Sequence, residues 1–157
     1  MKDINTLNLT IFLICIFQLK HFIADYLLQT HYMLGKFKGG SKWIKPLAAH
    51  AGVHAFLTYA ICIYFLFNKP HYISINLAIL DFTIHFIVDR IKASPHLLGK
   101  FHNLNRDDYI YWKETISGRG SVLLRHNKIF WIALGLDQML HHLTDAVIVF
   151  VLIKSYI

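Results

Sequence analysis

A chain of 157 residues that is 55% hydrophobic, 15% aromatic and 16% charged carries too few charges for an ordinary soluble domain, where about 25% is usual. Its length is that of about one domain, and its mean hydropathy of +0.44 and long apolar stretches exclude disorder, a coiled coil, collagen and a disulfide scaffold. The net charge of +7 would point to nucleic acid or acidic lipid in a soluble protein, but the placement of the basic residues gives it another meaning.

Four apolar segments succeed one another, at about residues 7–33, 46–67, 72–90 and 129–153. Each reaches or approaches the roughly 20 residues that cross a hydrocarbon core as a helix. Period-2 alternation is absent, so the spacing predicts helices rather than strands. The first segment is not read as a signal peptide, because Met1-Lys2-Asp3 is weakly basic and no small-x-small site comes after the apolar run. The expected fold is therefore all-α: an integral membrane four-helix bundle in a single domain, residues 1–157. Its connections at 34–45 and 91–128 are expected to be cytoplasmic, the second forming an interfacial segment between helices three and four.

The orientation comes from the basic residues. Lys36, Lys38, Lys42 and Lys45 lie in the first connection, and Arg90, Lys92, Lys100, Arg106, Lys113, Arg119, Arg125 and Lys128 border or fill the long one. Lys2, Lys69 and Lys154 stand on the other side. By the positive-inside rule both basic connections face the cytoplasm and both termini lie outside. Topology thus accounts for the high net charge, and a nucleic-acid partner is not expected. The long connection carries Phe101, Tyr109, Tyr111 and Trp112 among its basic residues, which suits short helices at headgroup level. Its Ser117-Gly118-Arg119-Gly120-Ser121 run matches no phosphate-loop pattern and reads as a turn. Asn103, Arg106, Asp107 and Asp108 could contact a headgroup or simply be solvated.

The acids are informative. Of nine Asp and Glu residues, Asp25, Asp81, Asp89, Asp137 and Asp145 fall within or at the end of a span. A charge at the centre of a span costs roughly 2.5–3.5 kcal/mol on insertion scales, so a partner must offset it. Histidine is the candidate. The four segments read His21-x3-Asp25, His50-x3-His54, Asp81-x3-His85 continuing to Asp89, and Asp137-x3-His141 continuing to Asp145. Residues four apart share a helix face, so each helix presents one polar stripe. Counting 1.5 Å per residue from the flanking lysines places Asp25, His54, Asp81, His85 and Asp137 at about 11–17 Å depth. His21 and His141 fall near 20–22 Å, His50 and Asp89 lie at the mouth, and Asp145, near 26 Å, is too deep to join unless the fourth span tilts or shifts.

Neutral imidazoles and carboxylates that converge from four helices suit a divalent metal, Zn first, with Mn or Fe as alternatives. Cys15 and Cys62 lie deeper than this layer and read as packing residues. Haem has no use for so many carboxylates, whereas a structural His–Asp network or a metal-free proton relay remains open. His31, His71, His96, His102, His126 and His142 lack the pairing and read as surface residues. The expected metal ligands are His21, Asp25, His50, His54, His85, Asp137 and His141, with Asp25, His54, His85 and Asp137 innermost. Asp81 or Asp89 is the expected general base.

The stretch His21-Phe22-Ile23-Ala24-Asp25-Tyr26-Leu27-Leu28-Gln29-Thr30, with Met33 and Lys36, then His50-x3-His54, His85-Phe86-x2-Asp89-x2-Lys92 and Leu136-Asp137-Gln138-x2-His141, resembles the bacterial and phage membrane proteins catalogued as domain of unknown function 3307, over nearly the whole chain. The resemblance implies a small inner-membrane protein of undetermined activity. A more distant likeness is to small bacterial membrane proteins described as metal-dependent hydrolases. The expected function is a metal-dependent intramembrane hydrolase that takes a lipid or lipid-linked substrate from the cytoplasmic side. The alternatives are a metal-ion or proton transporter and a non-enzymatic membrane protein; whether it forms a homo-oligomer stays open.

Overall fold

The computed structural model describes residues 2–94, 96–98 and 128–156. Among them the chain is helical, without strands. Helix α1 spans Lys2–Phe22 and runs on into one π-helical turn, Ile23–Leu27; a 3₁₀ turn comes next at Met33–Phe37. Helices α2 (Ile44–Phe65), α3 (His71–Ala93) and α4 (Lys128–Tyr156) complete the bundle. Four helical stretches, Thr6–Leu27, Ile44–Phe65, His71–Ala93 and Trp131–Tyr156, are long and apolar enough to cross a membrane. The first ends sooner than the expected residue 33, because the Thr30 carbonyl takes the amides of Met33 and Leu34 at 3.0 and 3.3 Å and starts the 3₁₀ turn. The interfacial segment expected between helices three and four lies outside the described residues, with Phe101, Tyr109, Tyr111, Trp112, Asn103, Arg106, Asp107, Asp108 and the Ser117–Ser121 run.

The helices pack as a ring in chain order. The α2–α3 seam is the most extensive, α3 and α1 each lean on α4, and α1 barely touches α2. Pro70 makes the sharp α2–α3 return: its carbonyl accepts the Ile73 amide at 3.1 Å, and its fixed φ suits a helix entrance. The interior divides along its length. Leu13, Phe17, Cys62, Leu66, Leu77, Ile148, Val149 and Leu152 fill one end with an apolar core. The other end, where α1 finishes, α2 starts, α3 finishes and α4 starts, buries Lys20, His21, His50, His54, Asp81, His85, Asp89, Asp137 and His141.

The outside reverses the usual pattern. Ile11, Phe12, Leu19, Phe56, Tyr64, Ile79, Ile87, Trp131, Leu143, Val147 and Phe150 are exposed. The hydroxyls of Thr10, Thr83, Thr144 and Ser155 donate to the carbonyl four residues earlier at 2.8–2.9 Å, a self-contained arrangement that needs no water.

Candidate metal centre

Each polar stripe faces the ring's axis. The stripe on α1 carries Lys20, His21 and, on the π turn, Asp25; α2 brings His50, His54 and Thr58, α3 Asp81, His85 and Asp89, and α4 Asp137, His141 and Asp145. An α-helix turn repeats every 3.6 residues, and the wider π turn rotates the residues beyond it around the helix axis; such turns recur at functional sites. Here the turn carries Asp25 into reach of three imidazoles. Its Oδ1 lies 3.0 Å from His54 Nε2 and 3.4 Å from His50 Nε2, and its Oδ2 lies 3.1 Å from His21 Nε2.

The imidazoles pack against one another. His85 stacks on His54 with ring centroids 3.8 Å apart and on His141 at 4.0 Å. His21 lies 5.2 Å from His54, 5.5 Å from His85 and 5.3 Å from His141. Three sets each offer ligand atoms within 4.8 Å of one another: His21, His54 and His85; Asp25, His50 and His54; and Asp89, Asp137 and His141. The first two share His54. The sets hold eight of the nine residues singled out in the sequence as ligand or base; the ninth, Asp81, joins them through His85 Nδ1, 2.9 Å from its Oδ1, and Asp89 links the third set to His50 at 3.2 Å.

Three lysines join them; the sequence offers a basic partner at one point only, Lys92 or Arg90 for Asp89. Lys20 Nζ donates to Asp145 Oδ1 at 2.8 Å, Asp81 Oδ2 at 3.1 Å and Thr58 Oγ1 at 3.2 Å. Lys36 reaches Asp89 at 2.7 Å, and Lys92 reaches Asp137 at 2.6 Å. Lys36 and Lys92 were expected to mark the membrane boundary; instead their ammonium groups turn inward. Two expectations change as a result. Asp145 is not apart from the cluster, because Lys20 ties it to Asp81, and its Oδ2 stands 3.9 Å from His21 Nδ1. Asp89, which could have paired with Lys92 or Arg90, pairs with Lys36 from the α1–α2 connection. His142 is also not a plain surface residue: half-buried, it sets its ring 5.2 Å from His21. His31, His71 and His96 are exposed as expected, while His102 and His126 lie outside the described residues. Cys15 is exposed and Cys62 sits in the apolar core, so neither thiol meets the cluster.

Asp81 is heavily engaged. Its Oδ2 accepts from Thr58 at 2.6 Å and from Lys20, while its Oδ1 lies 2.9 Å from His85 Nδ1. That arrangement holds the His85 ring and turns its Nε2 away from Asp81, as carboxylates behind metal-bound histidines do. Asp89 touches Lys36, His50 at 3.2 Å and His141 at 3.4 Å.

Charge and hydrogen bonding indicate what this cluster can hold. Among the described residues the five carboxylates have three ammonium partners, Lys20, Lys36 and Lys92, which leaves two negative charges for protonated imidazoles or a divalent ion to balance. Among the described residues, Asp25 is the carboxylate of these five that no ammonium group approaches within ion-pair distance. Of the ring nitrogens beside it, His50 Nδ1, His54 Nδ1 and His85 Nε2 are buried without a hydrogen bond, while His21 Nε2 and His50 Nε2 face carboxylate oxygens at 3.1–3.4 Å. Buried polar atoms are rarely left unsatisfied, and imidazole nitrogens beside a carboxylate are donors that a borderline divalent cation takes.

Between α1 and α2, where the ring is loosest, an apolar cavity of about 610 Å³ opens to the outside. Phe12, Ile16, Leu19, Leu57, Ile61 and Phe65 line it, and Lys20 reaches its wall from the polar cluster.

Comparison with known proteins adds one relationship. A family model described as Protein of unknown function (DUF3307) matches residues 11–157. No curated protein and no solved structure matches the chain.

Proposed function

This chain belongs to the DUF3307 family, and from that premise we propose that it is a metal-dependent intramembrane hydrolase that acts on a lipid or lipid-linked substrate from the cytoplasmic side. The observation that carries the reading is Asp25, a carboxylate without an ammonium partner among the described residues, set among His21, His50 and His54 with ligand atoms close enough to share one ion. The membrane placement rests on the inverted pattern, polar within and apolar without, since every polar group in hydrocarbon must find its partner inside the protein. The excess of lysine and arginine in residues 34–45 and 91–128 supports a cytoplasmic side for those connections and an outer side for both termini, in a bacterium the topology of an inner-membrane protein.

Asp25, His54, His21 and His85 would hold the ion, zinc by its preference for imidazole and carboxylate, with His50 at the cytoplasmic edge and Asp137 and His141 as the next set of donors. Bound there, the metal would supply a water activated near neutral pH and polarise the scissile group. Asp81 keeps His85 oriented. Asp89, with His50 and His141 in reach, is the residue for moving protons. The substrate's apolar part would enter through the α1–α2 cavity, which ends at Lys20, whose ammonium group faces the cluster.

A transport route fits less well. It would use Asp145 as a step beyond the cluster, but Asp145 is bound to Lys20, and the apolar core lies beyond it. A purely structural network is favoured by one observation, the lysine partners of Asp81, Asp89, Asp137 and Asp145. Asp25 separates the two readings. Wild type and Asp25→Asn are purified in detergent without chelator and offered Zn, Mn and Fe. The expected result is about one ion per wild-type chain, at least a tenfold loss in Asp25→Asn with folded yield unchanged, and release of product from a lipid ester or phosphoester that stops on chelation. Wild-type protein that binds no ion above background overturns the metal reading and leaves the structural network; bound metal without metal-dependent release removes the hydrolase alone.

A further inference from the structure

A second cavity of about 610 Å³ lies at the α1–α2 connection and uses none of the metal-centre residues; His31, Tyr32, Lys38, Ser41, Lys42, Ile44, Lys45 and Pro46 line it. From this we infer that it binds a phosphate group, that of an anionic lipid headgroup. The volume falls within the roughly 300–1,000 Å³ of small-molecule pockets, and its polar lining is made of donors: three ammonium groups, two hydroxyls and an imidazole.

The charge here has no internal answer among the described residues. No Asp or Glu occurs between Asp25 and Asp81, and among the described residues no ion pair engages Lys38, Lys42 or Lys45. Lys45 also occupies the first turn of α2, which contains no acid. A cation there opposes the positive end of the helix dipole, where an anion is favoured. Three exposed lysines and a helix N-terminus border one open cavity, and a phosphate group there is a counter-charge common to all four. The positive-inside rule accounts for lysines on this side of a membrane; it does not require them to line a concavity with Tyr32 and Ser41. Basic pockets of this kind next to spans hold acidic headgroups.

The backbone beside the cavity is braced. A Cβ at Gly35 would stand 2.8 Å from Pro46 Cγ, so the 3₁₀ turn lies directly on the start of α2. Gly40 turns the chain at φ 62°, a conformation that glycine adopts without strain. Trp43 is clamped to α3, with the Arg90 guanidinium 3.9 Å above its ring and Phe86 at 5.7 Å. The same turn that presents Lys38 to this cavity sends Lys36 inward to Asp89, so a headgroup held here would lie next to the metal centre. The assignment rests on the membrane placement proposed above, but not on catalysis.

The test is calorimetric titration of the full chain in detergent with dioctanoyl phosphatidic acid, dioctanoyl phosphatidylcholine and inorganic phosphate. Phosphatidic acid should bind at least tenfold more tightly than phosphatidylcholine. Lys38→Gln/Lys42→Gln/Lys45→Gln should lose at least tenfold of that affinity while it keeps wild-type metal content, and the three corresponding Arg substitutions should retain it. If the triple Gln chain does not fold, Lys42→Gln alone should cost at least threefold. Competition by inorganic phosphate would show that the site reads the phosphate itself; binding of the lipid without such competition would show that it reads the headgroup at the membrane. Equal affinity in wild type and the Gln variants, or an equal loss in Lys69→Gln/Lys154→Gln on the opposite side, overturns the site. Loss of bound metal in Asp25→Asn with phosphatidic acid binding intact would show that the two sites are separate, so that either can fail without the other.

Discussion

The contrast between Asp25 and Asp81 lies in their partners rather than in their chemistry. Asp25 is met by imidazoles, Asp81 by the Lys20 ammonium, the Thr58 hydroxyl and His85. A carboxylate that already has an ammonium partner gains less from a metal than one that is met by imidazole nitrogens alone. The same logic makes Lys20 the structural centre of the deep half of the cluster, since it alone balances both Asp81 and Asp145. Taking away one member of a buried ion pair strands the other charge and costs about 3–5 kcal/mol. Lys20→Met is therefore expected to lower the thermal midpoint by many degrees and to reduce folded yield. Adding Asp145→Asn to it should restore part of the loss, because one stranded carboxylate becomes a neutral amide. Melting of wild type, the single and the double variant in detergent checks this; a Lys20→Met protein as stable as wild type would mean that the ammonium group is not what balances these carboxylates. The histidines and aspartates were legible in the sequence because i, i+4 polar pairs stand out against apolar spans. Lys20 was not: one lysine in a span carries no spacing signal, and its carboxylate partners lie 61 and 125 residues away.

Among the elements, the four helices and their polar faces arise from hydropathy and period, and their bounds differ from the expected spans by a few residues except at the end of the first. The break there was hidden because residues 23–33 stay largely apolar; the π turn and the 3₁₀ turn are set by backbone hydrogen bonds, such as Leu28 N–H to Ile23 O at 2.9 Å, not by residue type. The inward course of Lys36 and Lys92 was hidden for a related reason. A lysine near a span end satisfies the positive-inside rule equally well whether its ammonium group meets water or a buried carboxylate. The 3₁₀ turn matters most for Lys36, which it carries to Asp89, and its seat is the contact of Gly35 with Pro46. Overfilling a tight contact costs typically about 1–3 kcal/mol. Gly35→Ala puts a methyl carbon 2.8 Å from Pro46 Cγ and 3.1 Å from its Cβ, so the turn or the start of α2 must shift. The expected outcome is a drop in stability of about 1–3 kcal/mol in a denaturation series, with the Lys36–Asp89 pair loosened. Lys36→Met should then cost less in the Gly35→Ala background than in wild type, and equal costs in both would show that the turn does not position Lys36.

For the molecule as a whole, the interior is divided into a polar and an apolar half. The polar half is bounded by the α1–α2 connection and the start of α4, which carry Lys36, Lys38, Lys42, Lys45 and Lys128, while Lys69 and Lys154 flank the apolar half. If the chain spans the membrane with its lysines in the cytoplasm, the metal centre is nearer the cytoplasmic face and the apolar core nearer the outer one. The stripes can share one depth only if successive helices alternate direction, so an even number of crossings and the shared site stand or fall together. Reporter fusions at Lys42 and Lys69, and after Tyr156, read this directly. The first should report the cytoplasm and the other two the outside. Reversing the charge bias by Lys38→Gln, Lys42→Gln and Lys45→Gln, with lysines added beside Lys69, should raise the fraction of inverted molecules, because orientation is governed by lysine and arginine near the span ends. A Lys42 fusion that reads external, with the chain still folded and still binding metal, would turn the bundle over and give the site a substrate that approaches from the outer leaflet. Fusions at Lys42 and Lys69 on the same side would mean that α2 does not cross, and then His50 and His54 could not meet Asp25 and His85 within a membrane.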